Sequence, residues 1–322
     1  MTANLLRSLW VLVVCATVGA AWLAIHLFGT HIGPWAAALI GVLVVGALHP
    51  AVIAGNFLMA RIAGDPVPKA LRLSLWQAIR TYDAEIDASM RGMWFATPFL
   101  PHRSAARPAP GAVLRPLPIL FIHGYLCNRA IWLSFMRDAA AHGYVCEAVT
   151  LPNPLAAIDS QTDVVVRAID ELLATAAAAG LPATRVAIVA HSMGGLVARS
   201  TMRSIGTARI AHVVTLGTPH HGTRTARLGR APSVVQMRRN SAWLAALAQT
   251  ETTPATFTTL FSYHDDIVYP QQTAVLEGAH RIAIGGCGHV ALVYDRRVRE
   301  HVFERLATIE SQRVATPTGL AS

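Results

Sequence analysis

The sequence predicts an α/β protein with a mostly parallel sheet, preceded by an N-terminal hairpin of two transmembrane helices. From Ser8 to Ala60 there is no Asp, Glu, Lys or Arg. From Leu117 onward, short apolar runs alternate with longer helical patterns, which is typical of strands joined by crossover helices. Only 14% of the 322 residues are charged and 53% are hydrophobic, whereas an ordinary soluble domain has about 25% charged residues. This composition excludes a disordered chain, a collagen and a small disulfide scaffold.

The uncharged stretch divides at Gly29 to Pro34, where helix breakers predict a tight turn. The flanking segments, Leu9 to Phe28 and Trp35 to Leu58, are each long enough to cross a hydrocarbon core of about 30 Å. Pro50 in the second segment indicates a kinked span, since neighbouring groups can satisfy the freed carbonyl. The alternative is a cleaved signal peptide followed by a buried core helix.

Positive charges flank the apolar pair on both sides. Arg7 precedes it, Arg61, Lys69 and Arg72 follow it, and the turn between the segments has only His31. Positive residues collect in cytoplasmic flanks, so both ends of the hairpin should face the cytoplasm. We therefore expect a multi-pass protein of the cell (inner) membrane with a cytoplasmic C-terminal domain.

An amphipathic helix is predicted after the hairpin, because apolar residues recur at spacings of three and four. These residues are Leu75, Ile79, Tyr82, Ile86 and Met90. We expect this helix to pack on the following domain or to lie at the bilayer surface, with no catalytic role for its acids. A proline-rich linker follows. The predicted organisation is a membrane anchor (1–60), a juxtamembrane helix and linker (61–116), an α/β domain (117–310) and a tail (311–322).

Within the α/β domain, apolar runs predict six strands and longer patterns predict three helices. Runs such as Val186 to Ala190 are apolar throughout, as expected for strands covered on both faces. Asp159 is a candidate N-cap, and Gly180 with Pro182 should end the same helix. The predicted strands are 117–122, 144–149, 186–190, 210–216, 256–263 and 280–284, and the predicted helices are 128–142, 159–179 and 193–205.

The net charge is +9, and its distribution matters more than its size. Lys69 is the only lysine, so arginine usage can reflect genome composition alone. Acidic residues are absent from Leu172 to Thr250, where nine arginines fall. Such a surface favours an anionic membrane or an anionic substrate. We expect no nucleic-acid partner, because no helix-turn-helix, zinc-finger or aromatic RNA-binding pattern occurs.

A candidate nucleophile lies at the junction of the third strand and the helix after it, in Ala190-His191-Ser192-Met193-Gly194-Gly195. Small residues two positions either side of a serine allow strand and helix to approach closely around a sharp turn. The hydroxyl then projects above the sheet, beside the positive end of the helix. Ala190 replaces the glycine that usually opens this motif.

With three further segments, the span from Leu117 to about Leu306 resembles the α/β-hydrolase superfamily, specifically its bacterial lipase and esterase branch. Phe121-Ile122-His123-Gly124-Tyr125 resembles the oxyanion loop, and Leu216-Gly217-Thr218-Pro219-His220-His221-Gly222 resembles the loop after the next strand. Asp265-Asp266-Ile267-Val268 and Gly286-Cys287-Gly288-His289 resemble the acid and histidine loops. The first 116 residues lie outside the resemblance.

The chain order Ser192, Asp265, His289 is the order that this architecture imposes on its triad. A serine hydroxyl is a weak nucleophile that needs a base oriented by a third group. Ser192 would be the nucleophile, His289 the base and Asp265 the orienting acid, with Asp266 as the alternative acid. The backbone N–H groups of Tyr125 and Met193 would form the oxyanion hole. Neither a metal nor an organic cofactor is expected.

The function implied is that of a membrane-anchored serine hydrolase, cleaving carboxylic esters of lipids or other hydrophobic acyl compounds. The same triad also serves acyltransferases, thioesterases and amidases. A further alternative is a non-catalytic, membrane-bound binding module. The presence of all three triad residues argues against it. The insertion from Gly222 to Thr256 is either a helical excursion or a cap over the acyl pocket. We expect His123, His191, His220 and His221 to shape loops, and no feature specifies a protein partner.

Overall fold

Six strands form one sheet in the order β2-β1-β3-β4-β5-β6, and every neighbouring pair is parallel. The computed structural model describes residues 1–28, 31–249 and 256–315. The strands are β1 (Ile119–Ile122), β2 (Cys146–Val149), β3 (Val186–His191), β4 (Ile210–Leu216), β5 (Phe257–Ser262) and β6 (His280–Ile284).

Helices precede the sheet, connect its strands and follow it. Before the sheet are α1 (Thr2–Phe28), α2 (Pro34–Ala63), α3 (Leu75–Ser89) and α4 (Thr97–Phe99), with a π-helical segment (Met90–Ala96) between the last two. The remainder are α5 (Leu133–Ala141), α6 (Thr162–Ala178), α7 (Met193–Ile205), α8 (Pro232–Gln236), α9 (Ala242–Gln249) and α10 (Arg296–Ala315).

All six predicted strands occur, which confirms the predicted fold class. β4 and β6 have the predicted bounds, whereas β1 begins two residues later than predicted, after Pro118. Proline has no N–H to donate to a ladder, although the Pro118 carbonyl still accepts from Ala187 N–H at 2.9 Å. The prediction that Asp159 is an N-cap is wrong. Its carboxylate instead accepts hydrogen bonds from Ser200 Oγ (2.5 Å) and Trp243 Nε1 (2.7 Å). The helix α6 begins after it, at Thr162.

Apolar side chains cover both faces of the sheet. Along β1, Ile119 and Phe121 belong to the core that contains α5 and α10, while Leu120 and Ile122 belong to the core that contains α6 and α7. This alternation follows the two-residue period of a strand. Because all strands are parallel, their carboxyl ends meet at one edge, where the loops after β1, β3, β5 and β6 come together.

The N-terminal hairpin consists of α1 and α2, 27 and 30 residues long, each long and apolar enough to cross a membrane. The two helices are in close contact at Gly41, where an added Cβ would overlap the carbonyl of Thr17 and contact Ala21. α2 continues through Pro50. The predicted turn includes Gly29 and Thr30, which lie outside the described residues.

The connector helix α3 lies between the hairpin and the hydrolase-like sheet. It begins with a capping box formed by Ser74 and Gln77. Its apolar stripe is not the face that the domain buries, since Leu75 and Ile79 are exposed. The buried residues lie on a more polar stripe of the same helix: Thr81, Glu85, Ala88 and Ser89.

The insertion between β4 and β5 packs on the domain. Its apolar side chains Val234, Met237, Leu244 and Leu247 are buried in the core on the α6 and α7 side. Gln236 Oε1 accepts from Ile158 N–H at 2.7 Å, which joins the insertion to the loop after β2.

Candidate active site

Ser192 occupies a strained turn at the end of β3. Its backbone has φ 55° and ψ −128°, a region that side-chain-bearing residues rarely adopt. Ser192 N–H donates to Leu216 O (2.9 Å), and Thr218 Oγ1 donates to Ser192 O (2.8 Å). The last residue of β4 and the loop after it therefore hold both backbone groups of the serine.

Asp265 and His289 form a buried pair at the ends of β5 and β6. His289 Nδ1 lies 2.8 Å from Asp265 Oδ2, and the two residues are 5% and 2% exposed. Asp265 Oδ1 also accepts from Ile267 N–H (2.9 Å) and Val268 N–H (2.6 Å). Three hydrogen bonds thus fix the carboxylate, and it in turn fixes the imidazole ring with Nδ1 as the donor.

Asp266 binds a different atom of the same histidine. Its Oδ1 accepts from the backbone N–H of His289 at 3.0 Å. Burial, and then the neighbouring Asp265 charge, raises the pKa of Asp266. The geometry therefore gives Asp265 the imidazole and Asp266 the backbone of the histidine loop.

The protonation of His289 is decided by competing effects. Burial opposes the charged ring, but the charge and hydrogen bond of Asp265, assisted by the charges of Asp266 and Glu85, outweigh it and raise the pKa of His289 above its ordinary value. An imidazole whose proton affinity is increased in this way is a stronger base.

His191 joins the Ser192 turn to the loop that carries His289. Its Nε2 lies 3.0 Å from the carbonyl of His289, and the two ring centroids are 4.7 Å apart. Because a carbonyl only accepts, Nε2 carries the proton. Burial, and then the proximity of His289, lowers the pKa of His191 well below its usual range. This neutral ring is a loop-shaping neighbour, as the sequence predicts.

The loop after β1 passes directly over the serine. A Cβ at Gly124 would lie 2.8 Å from Ser192 Cβ, so only glycine allows this approach. Tyr125 follows it, and Leu126 has φ 54°, a second strained backbone at the site. Met193 is buried as the first residue of α7. Tyr125 and Met193, the residues predicted to supply the oxyanion N–H groups, therefore directly follow Gly124 and Ser192 in the chain.

His123 stabilises the loop after β1 through two hydrogen bonds. Its Nδ1 donates to Gly124 O (2.8 Å), and its Nε2 accepts from Leu151 N–H (2.9 Å). Burial lowers the pKa of His123 to about 4, partly offset by the bond to Gly124. His220 is likewise buried, with Nε2 3.0 Å from Thr215 Oγ1. Both histidines hold loops in place.

Comparison with known proteins supports the same architecture. A family model described as "PGAP1-like alpha/beta domain" matches residues 155–280, a range that includes Ser192 and Asp265 and ends before His289. The mature lipase BlEst2 of Bacillus licheniformis superposes with a TM-score of 0.54 at 18% identity, covering 63% of this chain and 96% of its own. Aspergillus fumigatus lipase B gives 0.55 at 18% identity, covering 95% and 82%. The chain has an α/β-hydrolase fold. A search of curated proteins finds no match to this sequence.

The α/β-hydrolase fold here includes a residue that sequence reasoning missed. Glu85 of α3 is only 2% exposed, and its two carboxylate oxygens accept from Val290 N–H and Ala291 N–H, each at 2.9 Å. The apolar periodicity of α3 hides this role. The signal that could have found it is a second stripe at helical spacing, made of small and polar residues: Thr81, Glu85, Ala88 and Ser89.

Across residues 1–28, 31–249 and 256–315, no group of three His, Cys, Asp or Glu side chains is arranged to hold a metal ion.

Proposed function

We propose that this protein is a membrane-anchored serine hydrolase that cleaves carboxylic esters through an acyl-enzyme. The observation that carries the proposal is the 2.8 Å contact between His289 Nδ1 and Asp265 Oδ2, at the sheet edge where Ser192 occupies its strained turn. Packing alone does not require a buried acid–histidine pair beside a serine with positive φ.

The proposed reaction has two halves. Ser192 Oγ attacks the ester carbonyl while His289 Nε2 takes its proton, and Asp265 stabilises the resulting imidazolium. The N–H groups of Tyr125 and Met193 bind the oxyanion, each contributing on the order of 3 kcal/mol of transition-state stabilisation. His289 then protonates the departing alcohol. Water, deprotonated by His289, releases the acyl group and regenerates the serine.

The place of the hairpin relative to the site supports a lipid or other hydrophobic substrate. α2 ends at Ala63, and two residues later Asp65 N–H donates to Gln271 Oε1 (2.8 Å). Gln271 Nε2 donates in turn to the carbonyl of Asp265 at 3.1 Å. The acid loop of the site is therefore two hydrogen bonds away from the end of a helix able to cross a membrane. We infer that the active site faces the bilayer surface, where an acylated lipid would reach it.

The proposed location is the cell (inner) membrane, with both helices spanning it and the catalytic domain in the cytoplasm. The first turns of α3 support an interfacial position. They expose Leu75 and Trp76 beside Arg72 and Arg80, and tryptophan with basic residues is typical of the membrane–water interface.

The test is the variant Ser192→Ala. It should lose both ester hydrolysis and labelling by a fluorophosphonate probe, because both need the Ser192 oxygen as nucleophile. Ser204→Ala, an exposed serine on the same helix, is the matched control and should retain both. A Ser192→Ala protein that still labels would contradict the proposal. Adding a primary alcohol to the assay and analysing the products distinguishes hydrolysis from acyl transfer.

A further inference from the structure

Glu85 is an acidic side chain that reaches the histidine loop from outside the predicted α/β domain. It belongs to α3, yet its carboxylate caps the N–H groups of Val290 and Ala291, the two residues that follow His289. The remaining backbone N–H of that turn, on His289 itself, is bound by Asp266. Two carboxylates therefore hold three consecutive N–H groups beginning at the catalytic histidine.

We propose that Glu85 is a positioning residue for His289, so that the connector helix α3 completes the active site. The inference rests on the proposed function, since it assigns His289 the part of general base. Glu85 acts on the backbone of the loop and so fixes the direction in which the imidazole projects from it.

The fit between helix and loop is close enough to require glycine. A Cβ at Gly288 would overlap Glu85 Oε2 and would lie 2.7 Å from Glu85 Cδ. The loop can therefore lie against the carboxylate only because residue 288 has no side chain. Packing a helix near this loop does not by itself require glycine at position 288.

The ionisable groups that face this arrangement are all buried. Asp265 and His191 face His289, while Asp266 and Cys287 lie close to Glu85. Burial, and then the Asp266 charge, raises the pKa of Glu85 above its ordinary value, against the effect of its two N–H donors. Burying an acidic side chain costs folding free energy. Ionisable groups buried at such a cost occur mainly at functional sites.

The side of α3 that carries Glu85 also contacts the hairpin, because Tyr82, Glu85 and Ser89 follow the helical spacings of three and four. Tyr82 Oη donates to the carbonyl of Pro50 in α2 (2.9 Å), and Ser89 Oγ lies 3.0 Å from His49 Nε2. One helix thus binds the anchor with Tyr82 and Ser89 and the histidine loop with Glu85. The geometry of the base is consequently set by a segment whose own position depends on the anchor.

The test compares Glu85→Gln with Asp83→Asn in the full-length protein, solubilised in detergent and assayed with a soluble short-chain p-nitrophenyl ester. Both changes replace a carboxyl group of α3 by an amide, but Asp83 is exposed. Glutamine fills the same space and places an NH2 group against one of the two loop donors. We expect kcat per titrated active site to fall at least tenfold in Glu85→Gln, with KM changed less than twofold. Asp83→Asn should match the wild type.

Active sites are counted by the end point of fluorophosphonate labelling, so that misfolded protein does not enter kcat. A Glu85→Gln protein with fewer sites but wild-type kcat per site would show a merely structural role and would overturn the inference. Equal kcat in the glutamine and Asp83→Asn proteins would do the same.

A double-mutant cycle gives a second, independent measurement. Gly288→Ala should lower kcat at least fivefold in the wild type, because the new methyl group displaces the carboxylate. In a Glu85→Ala background the same change should cost less than twofold, since nothing remains to be displaced. Additive effects would contradict the inference. A wild-type protein that neither labels nor hydrolyses esters contradicts the proposed function, whereas an active enzyme indifferent to these changes contradicts the positioning role alone.

Discussion

Asp265 and Asp266 are neighbours in the chain, and the structure gives them different atoms of His289. Asp265→Asn should lower kcat by about a thousandfold or more, because an amide cannot stabilise the imidazolium and favours the wrong tautomer. Asp266→Asn should cost about tenfold or less, since asparagine still accepts from the His289 N–H. Steady-state kinetics on both variants measures this difference, and a larger loss at Asp266 would reverse the two roles.

The raised pKa of His289 predicts the shape of the pH profile. The ring must be neutral to accept the Ser192 proton, so kcat/KM should rise with pH and level off only above the pKa of His289. The groups facing the ring are Asp265, Asp266, Glu85 and His191, and the three carboxylates raise its pKa. We expect a midpoint above 6.5, measured with an ester whose hydrolysis is not diffusion-limited. A midpoint below the ordinary histidine value of about 6.5 would contradict the raised pKa.

Stability should depend on pH through His123. Its folded-state pKa, about 4, lies below the value of about 6.5 in an unfolded chain. The unfolded state therefore takes up the proton first as the pH falls, and stability is lost between pH 6.5 and 4 by about 1.4 kcal/mol per pH unit for this one group. His123→Gln, which has no ring to protonate, should show a shallower fall in unfolding free energy over this window than the wild type. An unchanged slope would refute this account.

At the scale of elements, the packing of α1 on α2 depends on Gly41. Gly41→Leu should lower the melting temperature of the helices in detergent by several degrees, because the side chain would collide with the backbone of α1 near Thr17. Gly46 lies on the same helix with nothing within 4 Å of an added Cβ. Gly46→Leu is therefore the control and should melt like the wild type by circular dichroism. Equal melting of the two variants would mean that the helices do not pack as described.

The helix α3 shows what the spacing of apolar residues predicts correctly and what it does not predict. Spacings of three and four correctly predict the helix α3, because local hydrogen bonding and an amphipathic pattern are encoded in consecutive residues. The pattern predicts that the helix packs on the domain or lies at the bilayer surface. α3 contacts the hairpin through Tyr82 and the histidine loop through Glu85, while Leu75 and Ile79 of its apolar stripe are exposed. The spacing of apolar residues shows which face of a helix is more polar. It does not show which segment of the protein each face contacts.

At the scale of the whole molecule, the hairpin predicts the side of the membrane on which the domain lies. A periplasmic reporter fused after Ser322 should be inactive and a cytoplasmic reporter active, because Arg7, Arg61, Lys69 and Arg72 flank the two helices. High activity of the periplasmic reporter would place the domain outside and contradict both the orientation and the proposed location.

The basic surplus has a more specific meaning once the chain is folded. Several arginines of the acid-free segment serve internal contacts: Arg203 pairs with Asp159 at 2.6 Å, and Arg185 donates to the carbonyl of Ala208 at 2.9 Å. Others, at Arg224, Arg227 and Arg230, are exposed around Leu228, which is 88% exposed. Three exposed arginines of the acid-free segment therefore lie together in one loop of the insertion.

The sequence by itself determined the parallel sheet, the two apolar helices and the three residues proposed as a triad. Each of these depends on local patterns: strand runs such as Val186 to Ala190, an uncharged stretch, and short motifs at strand ends. The tertiary structure alone decided that Asp265 meets the imidazole while Asp266 meets the backbone, and that Glu85 reaches the histidine loop across 205 residues of sequence. Those contacts join segments that are distant in the sequence. The relative positions of such segments are fixed by the burial and packing of the whole chain, so no short motif predicts the contacts.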